Sequence, residues 1–420
     1  DKITERLSHT GGIFSPQAFP VELLSISSEA GVRIRATVTE FGPVLLSKIL
    51  ALNDTQEGVV SMLFKYCDDQ KMPLLDLKDF TKMLQYAGNE GKLEIEKEYG
   101  KISTTTTGTI LRKVIELQQQ GADLFFGEPS FEVDDLMRIS GDGRGMVSIL
   151  RVTDMQNRPK LFSTFMLSLL AELYGSLPEE GDLDKPKLVL FIDEAHLVFQ
   201  EATTALLQQI ETVIKLIRSK GVGIFFCTQN PQDIPAGVLA QLGLKVQHAL
   251  RAFTAADRKT IRQAAENYPE TKFYDVDELM TQLGTGEAFI TILNEKGIPS
   301  PLVQTMLIPP SSRMDILNSS EIAAIVSQSG IKNKYAQTED SKSAYEIVTA
   351  KLADAANNTA ATGSSSSGKV PVEKSTMEKI LDSSVTRQIG RTAANLITRS
   401  LLGALGLGGR SSTKKKTSWF

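Results

Sequence analysis

The stretch KLVLFIDEAH, residues 187–196, runs apolar residues directly into two adjacent carboxylates, Asp193 and Glu194. A second stretch, GVGIFFCTQNPQDIP at 221–235, repeats the arrangement and ends in Thr228, Gln229 and Asn230. Short continuous apolar runs bounded by polar residues are the pattern of fully buried strands. Between them, residues 201–218 place Leu206, Leu207, Ile210, Val213, Ile214 and Ile217 on one stripe of a helix. A strand–helix–strand unit of this kind predicts a parallel pair, because parallel strands need a crossover of a dozen residues or more. Parallel sheets are covered on both faces, and their chemistry collects beyond the carboxyl ends of the strands. Asp193, Glu194, Thr228 and Gln229 are therefore expected together at one edge.

The same alternation extends outward from this unit. Strands are expected at VELLSIS and VRIRATV within 21–38, at GMVSILRVTD (145–154), at LKVQHALRAF, at GEAFITIL and at LVQTMLI. Helices are expected across LFSTFMLSLLAELYGSL and near 255–266. The fold class is α/β with a mainly parallel sheet. Residues 43–140 differ: VLLSKILALN, EGVVSMLFKYCDD, LKDFTKMLQYAG and TGTILRKVIELQQQG are helical in period, with stops at Gly88, Gly91 and Gly121. They read as a helical insertion between 1–42 and 141–310, the two parts of the α/β core. Residues 311–384 hold one expected helix, SAYEIVTAKLADAA, and then the flexible linker NNTAATGSSSSGK. The tail, 385–420, is basic without an acidic residue and has helical apolar spacing at Val385, Ile389, Leu396 and Ile397.

Composition narrows the function classes. The chain has 420 residues, 41% hydrophobic and 23% charged, which is the balance of a globular protein. Its net charge is −4, so any nucleic-acid contact must come from a local basic patch. The two cysteines, Cys67 and Cys227, lie in apolar runs and read as buried, reduced thiols of a cytoplasmic protein. Three histidines without metal spacing give no zinc site, and no apolar run reaches the length of a membrane span. The opening DKITERLSHTGG lacks the features of a signal peptide, and the absence of an initial Met reads as a chain that starts partway through a longer one.

The polar strand tips carry the chemistry. An aspartate at a strand end can hold magnesium through water, and the next glutamate can orient or deprotonate an attacking water. The competing reading is a solvated loop that happens to begin with two acids. Gln229 stands where an amide can sense a γ-phosphate, whereas Asn230-Pro231 is sufficiently explained as a turn. Arg218, ahead of Ser219-Lys220-Gly221, is open between a cap on the helix carboxyl end and an arginine finger reaching across a subunit interface. Lys220 and Arg251 are further cationic candidates for such work. Asp193, Thr228 and Arg251 are expected to face a nucleotide. GDGRG (141–145) and GTGE (284–287) each precede a strand, whereas a phosphate loop follows one, so both read as turns. His196 and His248 read as structural. G-x-x-x-x-G-K-[ST] does not occur in the sequence.

Four of these segments in order, KLVLFIDEAH, LIRSKGVGIFFCTQNPQDIP, LGLKVQHALRAFT and LGTGEAFITIL, resemble the bacterial HerA-like ATPases of the YjgR type within the HerA/FtsK superfamily, over about residues 12–310. The resemblance implies a RecA-like P-loop NTPase core that uses ATP and Mg2+. It implies Asp193 and Glu194 as the Walker B pair, Gln229 as sensor and Arg218 as the finger acting in trans. It further implies a homo-hexameric ring, with DNA in its channel. The Walker A loop of the family would lie upstream of residue 1; if the protein lacks it, the alternative is a non-catalytic ring scaffold, and an ATPase acting on a protein or membrane partner rather than DNA is a third reading. The basic tail is open between a solvated end, a nucleic-acid contact and a surface for a membrane or another partner.

Overall fold

The computed structural model describes residues 2–155, 158–181, 183–199, 204–269, 271–337 and 341–362. The chain opens with helix α1 (Lys2–Thr10), followed by strands β1 (Val21–Ser25) and β2 (Val32–Arg33). Five helices come next: α2 (Val38–Ile49), α3 (Asp54–Asp69), α4 (Leu77–Gly88), α5 (Lys92–Tyr99) and α6 (Thr104–Gln119). Strand β3 (Val147–Arg151), helix α7 (Pro159–Ser176) and strand β4 (Leu188–Ile192) lead to the short helix α8 (His196–Phe199). Helix α9 (Thr204–Leu216) then reaches β5 (Val222–Phe226), followed by α10 (Ala236–Leu239), β6 (Lys245–Gln247), α11 (Ala255–Ala265) and α12 (Val276–Gln282). Strands β7 (Glu287–Thr291) and β8 (Val303–Met306) precede the helices α13 (Ser319–Gln328), α14 (Lys332–Ala336) and α15 (Ala344–Thr362).

The helix starts are written locally. Thr37, Asn53 and Asp76 each cap a helix and are answered three residues on by Glu40, Gln56 and Asp79, so that two backbone amides are satisfied reciprocally at each start. Helices α2–α6 contribute Leu46, Leu63, Phe80, Met83 and Ile110 to the same buried cluster as Leu24 and Ile26 beside β1 and Ile192 of β4. The helical stretch thus has no core of its own. It forms one flank of the main core.

Strand β1 is central between β2 and β3, parallel to both, with Leu24 opposite Val32 and Val21 opposite Val147. Strands β4 and β5 form a second parallel pair, in register from Leu188 opposite Val222 to Ile192 opposite Phe226. The mainly parallel α/β class holds, with one difference. β6, β7 and β8 form an antiparallel sheet around a separate small cluster that includes Ile261, Met280 and Phe289. Short apolar alternation fixes strands but not the direction in which they pair.

Three further expectations change. Helices were expected on both faces of the sheet. On β4 and β5, Leu188, Leu190, Ile224 and Phe226 join the core, while Val189, Phe191 and Phe225 face outward, Phe191 at 69% exposure. Phe191 and Phe225 stack on this outer face with ring centroids 4.6 Å apart. Residues 311–362 hold three helices rather than one; α13 begins with a capping box between Asn318 and Glu321. Cys67 is buried as expected, but Cys227 is exposed, because strand alternation puts it on the outer side with Phe225. Helix α15 also takes in residues 357–362 of the expected linker; the 363–384 remainder and the 385–420 tail lie outside the described residues.

The C-terminal helices are tied back by polar contacts. Buried Glu22 of β1 pairs with Arg138 and accepts from Ser329 Oγ at 2.9 Å and from the Gly330 amide at 3.2 Å. Buried Asp79 accepts from the Leu75 amide at 2.8 Å, the Tyr345 amide at 2.9 Å and the Ser343 hydroxyl, which seats the start of α15 on α4. GDGRG and GTGE are both turns ahead of strands, as expected, with Gly143 and Gly286 in left-handed conformation.

Candidate active site

Strands β4 and β5 end side by side, and the ladder continues past their last paired residues. The Cys227 amide donates to the Ile192 carbonyl and the Ala195 amide to the Cys227 carbonyl, both at 2.9 Å. The chain turns sharply between these two bonds. Glu194 takes φ +48° to make the turn, a left-handed conformation that is uncommon and strained for a residue with a Cβ. Strain of this kind persists where surrounding contacts over-determine it, and it clusters at functional positions.

The turn presents the carboxylates in different ways. Asp193 is exposed; its Oδ1 accepts from the Glu194 amide at 2.9 Å, and its Oδ2 has no hydrogen bond among the described residues. Glu194 is folded back and half-buried. Its Oε1 accepts from Gln229 Nε2 at 2.9 Å, across the two strand ends. Its Oε2 is buried without a hydrogen bond, and Nδ1 of His196 stands 3.3 Å away. Next to the site, burial and then the charge of Asp193 raise the Cys227 thiol, so the thiol form is favoured there.

The other expected residues divide into two groups. Thr228 sits at the tip of β5, but its hydroxyl donates to Asp233 Oδ2 at 2.8 Å, which closes the 228–233 turn. Asn230 caps the following turn by accepting from the Gln232 amide at 3.1 Å, as expected of a turn residue. Arg218 lies in the 3-10 turn Ile217–Lys220 that precedes β5, at the opposite end of that strand from Gln229. A strand of five residues spans about 16 Å. Beside Arg218, Lys220 pairs with Glu179 at 3.1 Å and lies over the Tyr174 ring. Hydrogen bonds from Ser219 and Lys220 hold the Glu179 carboxyl below its ordinary value.

Arg251 binds the carbonyls of Thr281 and, at 3.1 Å, Leu283, so its guanidinium terminates α12 within the antiparallel unit. The structure brings Asp193, Glu194, Thr228 and Gln229 to one edge and leaves Arg218 and Arg251 on other elements. His248 Nδ1 lies 3.0 Å from the Glu287 carbonyl, a structural contact. His196 is the residue whose place the sequence reading missed; its spacing, two residues after Glu194 at a helix start, was the available signal.

The donor set bears on magnesium. Among the described residues no three His, Cys, Asp or Glu side chains gather as a metal cage. One open carboxylate oxygen at a strand tip nevertheless fits Mg2+, which keeps several waters and is commonly bound through one or two carboxylates together with substrate phosphates.

The profile of the helicase HerA-like C-terminal family matches residues 1–412. The chain belongs to this family. A curated relative, described as a "probable helicase" of Methanocaldococcus jannaschii, is 29% identical over 167 residues. That match covers 38% of the present chain and 30% of the relative, so the chain spans less than a third of it. Among solved structures, plasmid coupling protein TrwB in complex with ADP and Mg2+ is similar at TM-score 0.44 and 11% identity, covering 69% of this chain and 74% of that one. VirB4 of Thermoanaerobacter pseudethanolicus is similar at TM-score 0.45 and 14% identity, covering 76% and 80%. These likenesses do not extend to chemistry. The HerA-like assignment rests on the family match, and no described helix is long and apolar enough to cross a membrane.

Proposed function

We propose that the β4–β5 edge is the water-activating half of an ATP-hydrolysing site in a HerA-like motor. The observation that carries this reading is the Glu194–Gln229 hydrogen bond at 2.9 Å, which joins a base and a phosphate sensor across adjacent parallel strand ends. Glu194 orients the water for in-line attack on the γ-phosphate. Gln229 reports the phosphate to Glu194, because the amide that meets the phosphate is the amide that holds the carboxylate. Asp193 would hold Mg2+, through water, with Oδ2. When bound, the ion supplies charge neutralisation on the phosphate oxygens.

Arg218 completes the site from a neighbouring copy. Its place at the far end of β5 from Glu194 supports action in trans, as a ring of identical subunits would require. Work on DNA in the ring channel, in the cytoplasm, is the accompanying reading, and the 385–420 tail is a candidate partner contact. Thr228 contributes through the shape of its turn, since its hydroxyl is committed to Asp233. Arg251 would reach a nucleotide only by leaving the α12 carbonyls.

The test is ATP turnover by the complete natural polypeptide, with and without DNA, against a Glu194→Gln variant. Turnover that DNA stimulates and that Glu194→Gln abolishes is expected. Equal turnover in the variant overturns the assignment of the base. No turnover in either protein selects a non-catalytic scaffold. Turnover indifferent to DNA selects a protein or membrane substrate.

A further inference from the structure

The Glu194 carboxylate is gripped on one oxygen only. Gln229 holds Oε1, while Oε2 is buried and makes no hydrogen bond. A buried carboxylate oxygen without a donor is costly, so a nearby donor is expected to matter. His196 Nδ1, at 3.3 Å, faces that oxygen. The imidazole is held there by the backbone. Ala195 is fixed by its bond to Cys227, the Leu197 amide donates to the Glu194 carbonyl at 2.9 Å, and the following Val198 and Phe199 are buried. The ring itself is about one-third exposed (35%).

We infer that His196 is the positioning residue for Glu194, donating from Nδ1 to Oε2 when the site is engaged. This rests on the ATPase reading above and deepens it. Gln229 comes from the neighbouring strand, and a shift of its amide toward a γ-phosphate loosens its hold on Glu194. When the amide turns to the phosphate, Oε1 is released to the water, and without a second hold the carboxylate is free to swing. His196 belongs to the same turn as Glu194, so its hold does not depend on β5. A short rotation of the ring brings Nδ1–H from 3.3 Å into hydrogen-bond geometry. The two contacts thus divide the work: Gln229 parks the base, and His196 keeps it aimed after release.

The test compares His196→Ala, His196→Asn and His196→Gln in the complete polypeptide, beside Glu194→Gln. Steady-state ATP turnover, affinity for Mg-ATP and thermal melting are measured for each. His196→Ala is expected to lower kcat by about 100-fold, the scale of a misplacement of about 1 Å, with KM and Mg-ATP affinity unchanged. The asparagine amide reaches the position of Nδ1 and is expected to restore most of kcat. The glutamine amide reaches the position of Nε2 and is expected not to. Wild-type kcat in His196→Ala overturns the inference, as does His196→Asn as slow as His196→Ala, or a loss that follows melting. If Glu194→Gln is inert while His196→Ala is unimpaired, only the role of His196 falls. If Glu194→Gln is unimpaired, the ATPase reading falls first.

Discussion

Gln229 Nε2 donates to Glu194 Oε1 at 2.9 Å, joining residues 35 positions apart at the ends of two parallel strands. The bond is exposed and worth little to stability. Its value is positional, because it ties the proposed base to the strand that meets the nucleotide. Gln229→Ala should therefore leave the melting temperature near that of the parent while kcat falls by about 100-fold, the scale of losing one preorganised donor. Gln229→Glu should be slower still, since it sets a second carboxylate against Glu194. Turnover and melting measured on the same samples check both, and a Gln229→Ala protein at full speed would remove Gln229 from the mechanism.

The position of Arg218 makes a different prediction. The Ile217–Lys220 turn lies before β5 and the proposed base lies beyond β4, so one subunit does not bring the two together at the strand tips. Arg218→Ala should abolish turnover without weakening nucleotide binding. Mixed with Glu194→Gln subunits, it should regain part of its activity, because some interfaces then pair an intact arginine with an intact glutamate. Turnover of mixtures across the full range of ratios is the measurement. Mixtures that show no recovery at any ratio would place the arginine outside the site.

Asp79 ties stability to pH. Burial raises its carboxyl above the ordinary value, although bonds from Ser343, Tyr345, Leu75 and Asp76 pull the other way. The folded chain thus holds a proton that the unfolded chain has already released. In the window from the ordinary aspartate value up to the raised one, stability falls as pH rises. Asp79→Asn should flatten that part of the profile. Asp79→Ala, which leaves the Leu75 and Tyr345 amides without their acceptor, should cost about 1–3 kcal/mol and loosen α15 first. Chemical denaturation across mildly acidic pH, with hydrogen exchange at Tyr345–Val348, separates the two effects.

The sequence announces the β4–β5 unit and its edge because each signal there is local. Apolar runs give the strands, the Ile210–Val213–Ile214–Ile217 stripe gives the crossover helix, and residues next to a strand end must lie at its tip. Caps such as Asn53 with Gln56 are equally local. What stayed hidden depends on partners far along the chain. The antiparallel pairing of β6 with β7 joins residues near 246 to residues near 290, and no pattern within either strand states the direction. Arg251 meets carbonyls 30 and 32 residues away. The side of the sheet on which Cys227 lies was legible in principle, since alternation sets it with Phe225, but which side is covered depends on what packs there.

The left-handed conformation of Glu194 sets stability against function. A residue with a Cβ at φ +48° is strained by about 1–2 kcal/mol relative to its preferred conformations, and glycine is not. Glu194→Gly relieves that strain and removes a buried carboxylate oxygen that lacks a hydrogen bond. It loses the exposed bond to Gln229 and the 3.3 Å contact with His196, and glycine gives back part of the gain through the entropy of the unfolded chain. The balance should favour the variant by roughly 1 kcal/mol, while ATP turnover disappears. Glu194→Gln keeps the strain and should show the second effect without the first. Denaturant midpoints and turnover of the two variants measure this directly. A Glu194→Gly protein less stable than Glu194→Gln would mean that the turn is held by the side chain and not imposed on it.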